Sequence, residues 1–69
     1  MINPKTAREK LGLSQSKMAR ACNTSIGTIT KWDQGQRIPR GQAARLIETL
    51  LWLQEKELLE EYLRVMERG

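Results

Sequence analysis

The sequence predicts an all-α fold, a compact bundle of about five helices with a helix-turn-helix at its centre. Three observations predict it. Apolar residues recur at spacings of three and four through most of the chain. No stretch alternates apolar and polar residues over the length of a strand, and phenylalanine is absent. Ser, Asn, Gly and Pro punctuate the pattern at intervals of a short helix.

The elements follow in order. Asn3-Pro4 starts the first helix: Asn caps, and Pro fits a first helical position, where its missing N–H would find no partner anyway. That helix runs to about Leu11, and Gly12 stops it. Ser14 caps a second helix over about Gln15 to Cys22, with Leu13, Met18, Ala21 and Cys22 as its apolar set. Asn23 follows, where a left-handed residue commonly ends a helix. Ser25 caps the third helix, on which Ile26, Ile29 and Trp32 offer apolar contacts. Gly35 ends it, and Pro39 biases Ile38 away from helix, so 35–39 is a loop.

From Gly41 no breaker occurs until Gly69, yet the apolar stripe changes face. Ala43, Leu46, Ile47, Leu50 and Leu53 share one side. Leu58, Leu59, Tyr62, Leu63 and Met66 share another, rotated by roughly 120° if the helix is continuous. Either the chain breaks in Gln54-Glu55-Lys56-Glu57, giving a fourth and a fifth helix, or one long helix meets two partners. The domain reading is residues 1–53 as a helix-turn-helix unit and 54–69 as the C-terminal helix of the same single domain.

Composition excludes several classes. A chain of 69 residues buries only about 60% of its unfolded surface, so its core is marginal without help. One cysteine, Cys22, allows no intramolecular disulfide, and with no histidine there are too few ligands for a structural zinc. No cofactor is expected. An enzyme fails on inventory: Cys22 has no partner base, Asp33 and Glu48 form no carboxylate pair, and Gly27 and Gly35 are isolated rather than part of a phosphate loop. The first residues are too charged for a signal peptide, and Leu50-Leu51-Trp52-Leu53 is too short to span a bilayer, so a cytoplasmic protein without membrane contact is expected.

Charge is divided along the chain. Residues 1–45 hold nine Lys and Arg against two acids, a net +7, and residues 46–69 hold three against six, a net −3. The first part can sit on a polyanion, while the second would be repelled by one.

The stretch LGLSQSKMARACNTSIGTITKWDQGQRIP unites these features. Two short helices meet at a tight Asn23-Thr24 turn. Ala19 is small enough to let them cross closely, and Met18, Cys22, Ile29 and Trp32 point inward. Ser14 and Ser25 leave two helix N-termini near one another, where positive dipole ends favour phosphate. The stretch resembles the Xre-type helix-turn-helix family, which includes the lambda and Cro-like repressors, and the resemblance extends over about Pro4 to Leu53. Asn23 stands where the family usually has Gly, and Cys22 replaces a larger apolar residue.

The resemblance implies that the third helix docks in the major groove of double-stranded DNA. Ile26, Gly27, Thr28 and Lys31 would then face bases. Lys31 can donate to guanine O6 and N7, Thr28 can donate, accept or touch a thymine methyl, and Ile26 can make an apolar thymine contact. Gly27 either permits close approach to the bases or is a tolerated neutral residue. Gln15, Lys17, Ser25, Thr30, Arg37 and Arg40 would position the sugar–phosphate backbone, or Arg40, just after Pro39, would instead reach toward a minor groove. Gln15 could also brace a recognition side chain. The family pairs an arginine of the first helix with the acid after the Trp position, which here is Arg8 with Asp33.

Trp32 reads as core, whereas Trp52 lies off the fourth helix's stripe and fits either the fifth helix or a subunit interface. The apolar face Leu58, Leu59, Tyr62, Leu63 and Met66 must cover the domain or another copy. The family habit of reading two half-sites favours a homodimer, with recognition helices about 34 Å apart. The function implied is a transcriptional regulator, a homodimeric autorepressor reading an inverted repeat. Phage repressors, antitoxin-like autoregulators and anti-CRISPR-associated regulators share this size and layout. The alternatives are a protein-binding adaptor that uses the fold without DNA, and an antitoxin-like partner of a second protein.

Overall fold

A computed structural model describes residues 3–68; Met1, Ile2 and Gly69, the last residue of the expected C-terminal segment, lie outside the described residues. Five helices and no strand occur among the described residues: α1 (Pro4–Leu11), α2 (Gln15–Ala21), α3 (Ile26–Asp33), α4 (Gln42–Glu55) and α5 (Leu59–Arg68). The all-α class matches the sequence reading.

Three helices begin on side-chain caps. Asn3 Oδ1 accepts from the amides of Lys5 (2.9 Å) and Thr6 (3.2 Å), Ser14 Oγ from Lys17 N (3.1 Å), and Ser25 Oγ from Thr28 N (3.2 Å). Each satisfies helix-start donors that would otherwise face water or nothing.

Helices α1 to α4 all end on the same closure. A residue with left-handed backbone follows each one: Gly12 (φ 70°), Asn23 (φ 53°), Gly35 (φ 72°) and Glu57 (φ 61°). Its amide and the next one bond back to the last turn. For α4, Glu57 N donates to Gln54 O at 3.1 Å and Leu58 N to Leu53 O at 2.8 Å. For α2, Asn23 N donates to Arg20 O at 3.2 Å and Thr24 N to Ala19 O at 2.9 Å. This paired bonding satisfies carbonyls that the helix leaves unpaired. The break at Glu57 separates α4 from α5, so the single long helix does not form. The C-terminal helix starts at Leu59 rather than at residue 54, because α4 keeps its hydrogen bonds through Glu55.

The core joins all five helices. Ala7 and Leu11 of α1, Leu13, Met18, Ala19 and Ala21 around α2, Ile29 and Trp32 of α3, Ile47 and Leu50 of α4, and Leu59 of α5 are buried. Cys22 is half-buried against them, with Ala43, Leu51, Leu53, Tyr62 and Leu63. Burial pushes the Cys22 thiol up to about 11, which keeps it protonated. No polar or charged residue is buried among those described. Ile26 does not join the core: it is 53% exposed at the start of α3.

Helix α5 packs on its own chain. Leu59 belongs to the core, Tyr62 and Leu63 pack against it, and Tyr62 Oη donates to the Ala21 carbonyl at 3.4 Å. Leu59, 9% exposed, is covered within its own chain. What α5 and its approach leave uncovered is Leu58 (41% exposed) and Val65 (65%), with Met66 half-buried.

Glu57 is a helix terminator made of the wrong residue. A side chain in the left-handed region costs about 1–2 kcal/mol that glycine avoids. Glu57→Gly is therefore expected to raise stability by about 1 kcal/mol, read as a higher urea midpoint with unchanged slope.

Candidate nucleic-acid interface

The helix-turn-helix is α2, the Asn23-Thr24 turn and α3. Its angle is held by a polar node behind the exposed edge. Asp33 is the last residue of α3, where the negative end of the helix dipole disfavours a carboxylate. Arg8 compensates: its Nη2 stands 2.9 Å from Asp33 Oδ2, and its Nε donates to Oδ1 at 3.4 Å. Arg8 Nη1 donates onward to the Leu13 carbonyl at 2.9 Å. Gln15 Nε2 donates to Asp33 Oδ2 at 2.9 Å. One carboxylate thus ties α1, the segment before α2, the first residue of α2 and the end of α3. The pair is shielded, with side-chain exposures of 16% for Arg8 and 9% for Asp33. Burial pushes the Asp33 carboxyl upward. Hydrogen bonds from Gln15 and Arg8, with the charges of Arg8 and Lys5, outweigh that and hold it below the usual range.

The outward edge of α3 is open. Ile26, Gly27 and Lys31 are exposed, and Thr28 is half-buried. The Thr28 hydroxyl lies 3.0 Å from Ser25 Oγ, so the two share a hydrogen bond at the helix start. Thr30 is half-buried, and its hydroxyl donates to the Ile26 carbonyl at 3.0 Å. Its one proton is therefore engaged within α3 rather than held out toward a phosphate.

The loop after α3 is anchored under that edge. The amides of Gln36 and Arg37 both donate to the Lys31 carbonyl, at 2.9 and 3.3 Å. This turns Arg37 back beside the helix. A concave surface results, lined by Thr24, Thr28, Gln36, Arg37, Ile38 and Arg40 over a floor that includes Trp32. Thr28, Arg37 and Arg40 are thus brought together. Lys17 borders a different groove, between α2 and α5, with Arg20, Glu60, Leu63, Arg64, Met66 and Glu67. Gln15 sits at the node, with one amide donor engaged.

Thr24 and Gln36 were not singled out from the sequence. Each directly follows a left-handed residue, Asn23 or Gly35, and so flanks α3 where the chain leaves a helix at the surface. A polar residue after a predicted left-handed closure is the signal that could have found them. Trp52 is 52% exposed on α4, beside Lys10, Glu48, Leu51 and Glu55. No described helix is long and apolar enough to cross a membrane.

The Asp33 node has a pH signature. Its folded-state carboxyl titrates below the unfolded value of about 3.9. The stability it contributes is therefore present above that value and lost as pH falls through the folded one. Asp33→Asn is expected to be less stable than wild type at neutral pH, and the gap is expected to close under acid below about pH 4. Urea midpoints of both proteins across pH check this.

Comparison with known proteins follows this geometry. The chain matches the family described as helix-turn-helix over residues 5–51. A stretch of 41 residues, 59% of this chain, is 39% identical to Antitoxin HigA-2 of Vibrio cholerae serotype O1 (strain ATCC 39315 / El Tor Inaba N16961). The match covers 39% of that protein's length. No solved structure matches the chain. With the family's pattern matched from α1 into α4, and the two crossed helices at its centre, the chain belongs to the Xre and lambda-repressor-like helix-turn-helix family, a family of DNA-binding regulators.

Proposed function

We propose that this chain is a sequence-specific regulator of transcription that binds double-stranded DNA with α3 in the major groove. One observation carries the reading: the edge of α3 with Ile26, Gly27 and Lys31 is exposed, and Thr28, Arg37 and Arg40 converge on the surface beside it. Lys31 reads a guanine edge, and Ile26 and Thr28 contact neighbouring bases. Arg37, Arg40, Ser25 and the start of α2 near Gln15 grip phosphates; Lys17 and Thr30 lie at the margin of that set. The net +7 of residues 1–45 supplies the affinity common to all sequences. The protein acts as an autorepressor, occupying an operator within its own promoter.

Two copies read an inverted repeat. Support comes from the apolar surface that remains after folding, Leu58, Val65 and part of Met66, on the acidic side away from α3. Sedimentation at micromolar concentration is expected to give twice the chain mass of 8.0 kDa, and a persistent 8.0 kDa species would contradict the dimer.

A second reading is favoured by the likeness to a protein named as an antitoxin. In it the chain works with a second protein, either alongside DNA binding or as an adaptor without it. Mobility shift on random duplex at low salt separates these, since an adaptor that binds no DNA leaves the duplex unretarded.

Selection of bound duplexes from a random pool tests the main reading. The retained set is expected to share an inverted repeat. Lys31→Ala is expected to relax one base position per half-site, at about 1–3 kcal/mol. Arg37→Ala is expected to weaken all sites alike and to lower the salt slope by about 1.

A further inference from the structure

Of the two tryptophans, Trp32 is buried in the core and Trp52 is 52% exposed on α4. Exposure of one apolar residue says little by itself. The surroundings of Trp52 say more. It borders a shallow cavity with Lys10 of α1 and Glu48, Leu51, Gln54 and Glu55 of α4. The cavity measures about 400 Å³, at the small end of the range for ligand sites. Glu48 precedes Trp52 by four residues and Glu55 follows it by three, so both share its face of the helix. Both glutamates are exposed. The ion pairs among the described residues are Arg8–Asp33 and Arg64–Glu60, so neither carboxylate is neutralised within the chain.

One wall of the cavity is fixed by a bond between helices. Gln54 Nε2 donates to the Lys10 carbonyl at 2.9 Å, which ties the end of α1 to α4. The Gln54 amide oxygen can still accept. Lys10 is the cation lining the cavity, against two carboxylates.

Charge decides what fits there. Residues 1–45 carry a net +7 and residues 46–69 a net −3. A cationic partner is repelled by the first part and drawn to the second. Within the second part, this cavity joins carboxylates to an open aromatic face. A guanidinium lies flat on an indole and forks two N–H donors onto a carboxylate. A lysine ammonium is a point charge, which meets the carboxylates but gains less from the flat ring.

We propose that the cavity at Trp52 is a docking surface for an arginine-bearing segment of a partner protein, with the arginine laid on the indole between Glu48 and Glu55. This surface shares no residue with the concave one beside α3, so it stands whether or not α3 binds DNA.

The probe is acetylated tri-arginine amide, set against its tri-lysine and tri-glutamate counterparts, added to the full chain at low salt and followed by NMR. The indole signal of Trp52 and the amides of Leu51 and Glu55 are expected to shift and saturate with tri-arginine, while the indole of Trp32 stays in place. Tri-lysine is expected to bind at least about twofold more weakly, and tri-glutamate is expected to leave the signals unmoved. Trp52→Leu and Glu55→Gln are each expected to bind tri-arginine about two- to fivefold more weakly, read on the Leu51 amide. Glu55→Gln alters one exposed side chain, so it decides the matter if Trp52→Leu melts early. Undiminished binding by Glu55→Gln and Trp52→Leu overturns the proposal, as does the lack of a saturable shift at millimolar tri-arginine. Shifts confined to Glu60, Glu61 and Glu67 also overturn it, because the attraction then belongs to the acidic α5 at large. Trp52→Leu is expected to retard a random duplex as wild type does. A duplex that wild type leaves free overturns the DNA reading and leaves this surface standing.

Discussion

Reading DNA with an eight-residue helix requires that the helix be held at a fixed angle, and α3 is fixed at its far end by the carboxylate of Asp33. A charge so shielded, at the wrong end of a helix dipole, is unfavourable alone. It becomes favourable because Arg8 and Gln15 both donate to it, and because Arg8 also donates to the Leu13 carbonyl. Removing any one partner leaves the others without compensation in a place water scarcely reaches. The node lies behind the open edge of α3, so it can set the angle of that edge without occupying it.

Packing and helix ends complete the constraint. Met18 on α2 and Ile29 on α3, each 1% exposed, are buried in the core that α2 and α3 share, and the small buried Ala19 leaves room for the two helices to approach. The repeated left-handed closures set where each helix stops, which fixes the face it presents to the core. In a chain of 69 residues with a small core, these local terms matter more than they would in a larger domain.

Much of this was legible in the sequence for local reasons. Asn3, Ser14 and Ser25 cap because their side chains reach the following amides, and Gly12, Asn23 and Gly35 terminate because they tolerate positive φ. The Glu57 closure was not legible as such. Nothing in a glutamate favours a left-handed backbone, and the turn is imposed by the burial of Leu59 just beyond it. The bond from Gln15 to Asp33 depends on the crossing angle of two helices, which no local pattern encodes. The sequence offers Gln15 either to a phosphate or as a brace for a recognition side chain, whereas here it is half-buried and its amide donates to Asp33. The apolar face of α5 shows the general limit. Periodicity tells which side of a helix is buried, but the same stripe would serve a neighbour in the same chain or in another copy. The structure gives Leu59, Tyr62 and Leu63 to the chain's own core and leaves Leu58 and Val65 uncovered.

The central claim is that the exposed edge of α3, together with the loop that follows it, is the surface that meets DNA. Amide NMR spectra recorded while a duplex is added locate that surface directly. The account predicts that signals of Ile26, Gly27, Thr28, Lys31, Arg37 and Arg40 move first and furthest, and that those of α5 stay in place. Perturbations gathered on α4 and α5, with the α3 edge unmoved, would contradict it.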